Sequence, residues 1–444
     1  MAQDLIPPRP VAHSVPEIED QLGQLWARAS VARAEAAKAE AALIEAQAEA
    51  AARAAASLAA AREAADAGGH HVAARTSVLN LVVVAGDELT AERCAATIAA
   101  TASRHASRSL ILSEVDPDGP AGVEARVEAL ALTTAAGRAE TGAETIRVVA
   151  HGETGAHLAS IIVPLLVHDL PVALWWPGDP PFGSHRADRL LPIADRLIVD
   201  GSAWSGNGLD SLARMAVAVD EHRLAVADWA LLRQTRWREA LASVYDLPDL
   251  RPHLGAVRRI EVVYAAADPG DAAGSTNVVR PLYHAAWLTS RLGMSVVTPL
   301  KRNADGRRVA TLRQKDHEVE VILRPAASSL GPGSTVGVEI VSRLRGAELV
   351  GSVSAGDLTV EVSVHDNGRE RVRRSYLAPR LTDVDLLGRA IEEGAADPIA
   401  VHALATAHRL LGVDSESHRL ASAARRPAGH SSGSAGHSRS QEHE

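Results

Sequence analysis

Hydrophobic and polar positions change period several times along this chain, and each change marks an element. From about Glu17 to Ala67 the sequence is alanine-rich and proline-free, with Arg, Glu and Lys interspersed, all strong helix formers. Ile18, Leu22, Leu25, Ala29, Ala32, Ala36, Ala39, Leu43, Ala46 and Ala50 fall at alternating steps of four and three until Arg53 interrupts them. At ~1.5 Å per residue such a helix would be on the order of 75 Å long. Its small-residue seam leaves two readings open: a coil between molecules, giving self-association, or a helix or hairpin packed on its own domain. Residues 1–16, with Pro7, Pro8, Pro10 and Pro16, read as a disordered, extended lead-in, and residues 17–70 as an Ala-rich helical extension.

After Gly68-Gly69-His70-His71 the period shortens. Val78 to Ala85 is an apolar run of strand length interrupted only by Asn80, and Thr90 to Ala102 reads as a helix with Thr90 at its cap. Ser109 to Leu112 is the next strand. Gly122 to Leu132 sets Val123, Ala125, Val127, Ala129 and Ala131 against Glu124, Arg126 and Glu128, the alternation of an antiparallel edge strand with one wet face. Thr145 to Ala150, a helix from about Thr154, Val172 to Trp176 and Leu197 to Val199 complete a βαβ-like series. The fold class is α/β, with residues 76–205 forming an α/β layered domain of roughly five to six strands. Residues 206–249, with helices over about Gly208 to Glu221 and Asp228 to Tyr245, read as a helical linker.

Residues 250–412 then read as an α+β domain with a mostly antiparallel sheet. Strand Ile260 to Tyr264, a disordered-looking loop Asp268 to Thr276 and helix Val278 to Leu292 precede a strand-rich stretch containing the Asp366-Asn367-Gly368 hairpin turn. Helices Asp383 to Glu393 and Pro398 to Leu411 close this domain. Residues 413–444, rich in Ser, Gly, His and Arg, form a disordered tail.

Aromatic residues make up only 3% of the chain, so the adjacent Trp175 and Trp176, ending a short strand at the rigid turn Pro177 to Pro181, concentrate apolar surface in one place. Strand side chains alternate, so the two rings point to opposite faces. One ring anchors the core; the other, with Pro177, is a candidate partner contact, because Trp is enriched among interface hot spots. The alternative is a sheet covered on both faces, with both rings internal.

The segment PLLVHDLPVALWWPGDPP, with LPIADRLIVDGSAW downstream and SRHASRSLIL upstream, resembles the OpcA family of glucose-6-phosphate dehydrogenase assembly proteins, from about Val78 to about Leu411. The resemblance implies a non-catalytic partner that assembles and allosterically activates glucose-6-phosphate dehydrogenase, at the head of the oxidative pentose phosphate pathway. The Ala-rich segment lies outside the resemblance.

Composition narrows the remaining options. A chain of 444 residues suggests roughly two to three domains. A net charge of −9 disfavours nucleic acid as a partner. Cys94 is the single cysteine, so neither an intrachain disulfide nor a thiolate zinc site can form, and a reducing cytoplasm is the expected location. Cys94 falls inside a predicted helix as a small core residue, and one cysteine cannot form the internal redox switch linked to some relatives. The N-terminus has no signal-peptide pattern, and the most apolar stretch is broken by Pro164, His168, Asp169 and Pro171, so no membrane span is expected.

No catalytic set, metal site or cofactor emerges. The turn after the first strand, Ala85-Gly86-Asp87-Glu88, places two acids where a phosphate would sit. Gly331-Pro332-Gly333-Ser334 lies between strands without a P-loop lysine and reads as a loop, and Gly429 to Gly433 matches a serine-hydrolase pattern only by letters. His151, Glu153 and His157 stand at a strand-to-helix turn where ligands bind in open α/β sheets, and are carried as a candidate effector site, a capping and solvent-facing turn being the alternative. They also hold the competing reading, a degenerate α/β enzyme or phosphosugar-binding regulator. Arg371 and Arg373, on one face of their strand, are candidates for docking an acidic partner or binding sugar phosphate, a solvated sheet face being the alternative.

Overall fold

The computed structural model describes residues 4–5, 14–24, 77–102, 104–116, 118–133, 139–392 and 397–412. Two eight-stranded sheets organise them. The first uses β1 (Asp4–Leu5), α1 (residues 15–24), β2 (Leu79–Ala85), α2 (Glu88–Thr101), β3 (Ser107–Val115), β4 (Gly122–Thr133), β5 (Ala139–His151), α3 (Leu158–Ile162), β6 (Val172–Trp176), α4 (His185–Leu190), β7 (Arg196–Val199), α5 (Leu209–His222) and β8 (Ala225–Asp228). Its order is β1-β4-β5-β3-β2-β6-β7-β8. The six strands from β5 to β8 in that order are parallel, while β4 returns antiparallel along β5 as its alternation predicts. The chain builds outward from β2 through β3 to β5, then crosses to the other side of β2 with β6, β7 and β8. This is the doubly wound order of dinucleotide-binding sheets, with its topological switch point between β2 and β6.

All seven residues of β2 are buried, as expected of a central parallel strand. Asn80 interrupts its apolar run for a reason. Its side-chain amide donates to the Val167 and Leu170 carbonyls at 2.9 and 3.2 Å and accepts from Val167 N at 2.8 Å, clasping the loop that leads into β6.

The second sheet follows α6 (Trp229–Leu232) and α7 (Thr235–Tyr245). It uses β9 (Val257–Ala265), α8 (Val279–Arg291), β10 (Ser295–Arg302), β11 (Arg308–Gln314), β12 (His317–Ala326), β13 (Thr335–Leu344), β14 (Ala347–Ala355), β15 (Thr359–Asp366) and β16 (Arg369–Leu377). Its order is β10-β11-β12-β9-β13-β14-β15-β16, antiparallel except for the β9–β12 pair. Helices α7 and α8 cover one face, and α9 (Asp383–Glu392) and α10 (Pro398–Leu411) end the described chain. None of the helices among the described residues is long and apolar enough to cross a membrane.

Several expectations are corrected here. The stretch 206–249 is not simply a helical linker, because β8 pairs in parallel with β7 and is an edge strand of the first sheet. Four residues are too few to show a period. Helix α9 does not close the second sheet; Leu386, Leu387 and Ala390 enter the cluster of Leu81, Val83, Ile98 and Trp175 on the first. Helix α10 packs between the sheets, against α8, α5, β8 and β10. The loop Asp268 to Thr276 is ordered by a buried pair. Asp271 lies 3.2 Å from Arg308 and accepts from Tyr264 Oη at 3.1 Å and Thr276 N at 3.1 Å. The helix after β2 is capped by Asp87, not Thr90. In the lead-in, Asp4 and Leu5 pair with Ala131 and Leu130 of β4. Within α1, Ile18 and Leu22 are buried in the main core, so this end of the seam faces its own fold. The rest of the Ala-rich extension and the tail 413–444 lie outside the described residues.

Candidate functional site

In an open α/β sheet the ligand crevice lies beyond the carboxyl ends of the strands at the switch point. Here that position is bounded by Gly86 to Glu88 after β2 and by Trp176 and Pro177 after β6. Asp87 is extended, with φ −156° and ψ 167°, and its carboxylate accepts from Thr90 N at 2.8 Å and Thr90 Oγ1 at 2.9 Å. Those bonds hold the carboxyl below its ordinary pKa. A carboxylate thus stands at the N-terminus of α2, where a dinucleotide phosphate would need the free backbone N–H groups.

Trp175 and Trp176 do point to opposite faces, but both are only 2% exposed. Trp175 packs against Trp229 with ring centres 5.3 Å apart, under α2 and α9, and Trp176 meets Phe182 edge-on at 5.8 Å. The expectation that one ring reaches a surface is therefore corrected, because a helix from the far end of the chain covers the second face. Neither indole N–H has a hydrogen-bond partner among the described residues. Pro177 is partly exposed and borders a cavity of about 160 Å³ shared with Arg93, Asp200 and Asp383.

Beyond β7 and β8 the two sheets are joined by a buried polar junction. Asp228 accepts from Gly201 N at 2.9 Å, Ala230 N at 2.8 Å and Tyr283 Oη at 2.9 Å. Burial pushes its carboxyl up to about 7 against the pull of those donors. A Cβ at Gly201 would lie 2.7 Å from Val279 Cγ1 and 2.8 Å from Asp228 Oδ2, so only glycine allows this approach. Asn277 donates across the junction to the Gly201 and Trp204 carbonyls at 2.9 and 3.0 Å.

Next to this junction lies a cavity of about 410 Å³, open to solvent, between the α6–α7 segment, the start of α8, the β14–β15 turn and α9. Arg233, Arg236, Arg280, Arg380 and Arg389 line it. Arg233 pairs with Asp200 at 2.8 Å and Arg236 with Glu239 at 2.8 Å. Arg280, Arg380 and Arg389 have no carboxylate within ion-pair distance among the described residues. Arg280 Nη1 donates to Ser334 Oγ at 3.3 Å, while its Nε and the Thr335 hydroxyl are shielded from solvent and have no partner among the described residues. Burial, and then the charge of Arg233, lower the Arg280 pKa. Gly331 and Ser334, the two ends of the loop Gly331 to Ser334, line this cavity. At Gly333, φ is +76° and a Cβ would lie 2.5 Å from Asn277 O, so its glycine serves chain packing. Sequence reading missed this cluster, because its arginines come from four separate segments and share no motif.

The remaining predicted residues lie apart. His151 Nε2 is 3.9 Å from Glu124 Oε1, and Glu153 and His157 are exposed on the 3-10 turn Gly152–His157 after β5. No hydrogen bond joins the three, and no group of three or more His, Cys, Asp or Glu suited to a metal occurs, among the described residues. Arg371 and Arg373 are exposed on β16, the edge of the second sheet. Arg371 reaches Asp249 at 2.7 Å and Asp366 at 3.4 Å, and Arg373 reaches Glu370, so the basic stripe is a series of ion pairs. Cys94 is 1% exposed on α2, with its thiol pushed up to about 12 by burial.

Residues 98–216 match the family model described as the N-terminal domain of a glucose-6-phosphate dehydrogenase subunit, and residues 224–410 match the corresponding C-terminal domain. The chain is 28% identical over 141 residues to the putative OxPP cycle protein OpcA of Synechocystis sp., covering 32% of this chain and 27% of that protein. It is 29% identical over 168 residues to the Nostoc punctiforme protein of the same description, covering 37% and 34%. The match thus spans about a third or less of these relatives. Among solved structures it is similar to a UDP-N-acetylglucosamine 3-dehydrogenase from Acidithiobacillus ferrooxidans, at 12% identity and TM-score 0.39, covering 75% of this chain and 97% of that one. It is also similar to an aldose-aldose oxidoreductase from Caulobacter crescentus, at 11% and 0.40, covering 78% and 98%. With both domain models matched in chain order over more than half of its length, this chain belongs to the OpcA family.

Proposed function

We propose that this chain is a non-catalytic subunit that assembles with glucose-6-phosphate dehydrogenase in the oxidative pentose phosphate pathway and activates it allosterically. The observation that carries this reading is a sheet in dinucleotide-binding order whose phosphate position is taken by the chain's own Asp87. Family membership supplies the partner. Activation requires tighter binding to the competent state of the enzyme than to the incompetent one, since a ligand shifts an equilibrium only by its differential affinity. The lone buried Cys94 suits a reducing cytoplasm.

For docking we favour the β16 edge, where seven of nine residues are exposed, over the buried Trp pair. Arg371 and Arg373 would exchange their local acidic partners for those of the enzyme. The test is dehydrogenase turnover with increasing amounts of this chain, beside the charge-reversed Arg371→Glu/Arg373→Glu variant. Activity should rise saturably with the native chain and need more of the variant. Glucose 6-phosphate oxidation by the isolated chain, or no effect on the enzyme, would refute the proposal.

A further inference from the structure

The cavity beside the inter-sheet junction gathers positive charge in a protein whose net charge is −9. Two of its five arginines are neutralised by Asp200 and Glu239, and the remaining three face one lining carboxylate, Asp357, on an exposed turn. Removing a guanidinium from water without a contact ion pair is costly, and Arg280 is in that position: Asp200 acts on it only from a distance, and among the described residues its enclosed Nε has no partner. The enclosed Thr335 hydroxyl adds a second unused polar group to the same wall. Thr235, Ser334 and Thr359 bring further hydroxyls, and Trp237 an aromatic surface. A volume of about 410 Å³ falls within the ~300–1,000 Å³ of small-molecule sites.

We infer that this cavity binds a small phosphate monoester bearing free hydroxyl groups, its phosphate held by Arg280, Arg380 and Arg389 and its remainder by Trp237 and the threonines. A monoester carries about −1.5 to −2 at neutral pH, close to the excess positive charge of the lining. The planar guanidinium fork matches phosphate oxygens two at a time. The lining comes from both halves of the fold. Arg280 and Ser334 belong to the second sheet's elements, and Arg389 to α9, which packs on the first sheet. An occupied site therefore ties the two halves together. The inference concerns the chain by itself and does not depend on the dehydrogenase.

Calorimetric titration of the full chain in phosphate- and sulfate-free buffer tests it, with glucose 6-phosphate as the probe and glucose and inorganic phosphate as controls. Saturable binding of glucose 6-phosphate, none of glucose, and competition by inorganic phosphate are expected. Arg380→Ala/Arg389→Ala should weaken binding at least about tenfold without changing the melting temperature, and Arg280→Gln should abolish it. The double variant decides the matter if Arg280→Gln fails to fold. The inference is overturned by the absence of saturable binding to either phosphate probe at millimolar concentration, or by binding that both variants retain. It is also overturned by tighter binding of a glutamate-rich peptide than of the phosphate ester, which would assign the arginines to a partner's carboxylates.

Discussion

Replacing Trp175 by Ala removes a ring that is 2% exposed and rests 5.3 Å from Trp229. A buried Trp withdraws about 150–250 Å² from water, which at ~25 cal/mol per Å² is about 4–6 kcal/mol. Part of that is offset. The indole N–H is enclosed and has no partner among the described residues, and releasing an unsatisfied donor returns about 1–3 kcal/mol. The expected net loss is about 3 kcal/mol, at the low end of large-to-small aromatic substitutions. Trp175→Phe keeps most of the ring and discards the donor, so it should fall within about 1 kcal/mol of the native chain. Urea denaturation of both variants, read on the first sheet's transition if the two halves unfold separately, measures the difference. Because both rings are internal, the folded variants should match the native chain in the proposed activation of the dehydrogenase. A loss below about 1 kcal/mol for Trp175→Ala, or a Phe variant as unstable as the Ala one, would refute this account of the packing.

Asp228 has a folded pKa of about 7 against an ordinary 3.8, so the folded chain keeps a proton that the unfolded chain has already released. Stability should fall by a few kcal/mol as pH rises from about 4 to about 7 and level off above, and Asp228→Asn should flatten that slope in melts across the range. Asp271→Ala leaves Arg308 buried without its carboxylate and should cost about 3–5 kcal/mol in denaturation, while Asp271→Asn should cost less. The Cys94 thiol should resist alkylation in the native state and react only on unfolding, and Cys94→Ser should leave the proposed activation of the dehydrogenase the same under oxidising and reducing conditions; rapid native alkylation would contradict its burial.

Local periodicity settled the elements that depend only on neighbours in sequence. The alternation in β4 announced an antiparallel strand, the apolar run of β2 a central one, and the strand-rich second half an antiparallel sheet, because the pleat imposes its period residue by residue. Family membership was likewise legible in the segment around Trp175. The site was not. Whether the second Trp ring meets water depends on α9 crossing back to the first sheet, and many sheet faces would suit a helix carrying Leu386, Leu387 and Ala390. Arg233, Arg280, Arg380 and Arg389 converge only once α6, α8 and α9 are placed around one cavity. His151, Glu153 and His157 illustrate the converse: closeness in sequence suggested a site, yet the turn holds them without a shared contact. Sequence spacing sets which side chains share a strand face, but convergence across elements is decided by packing, which the chain encodes only through the shapes of distant surfaces.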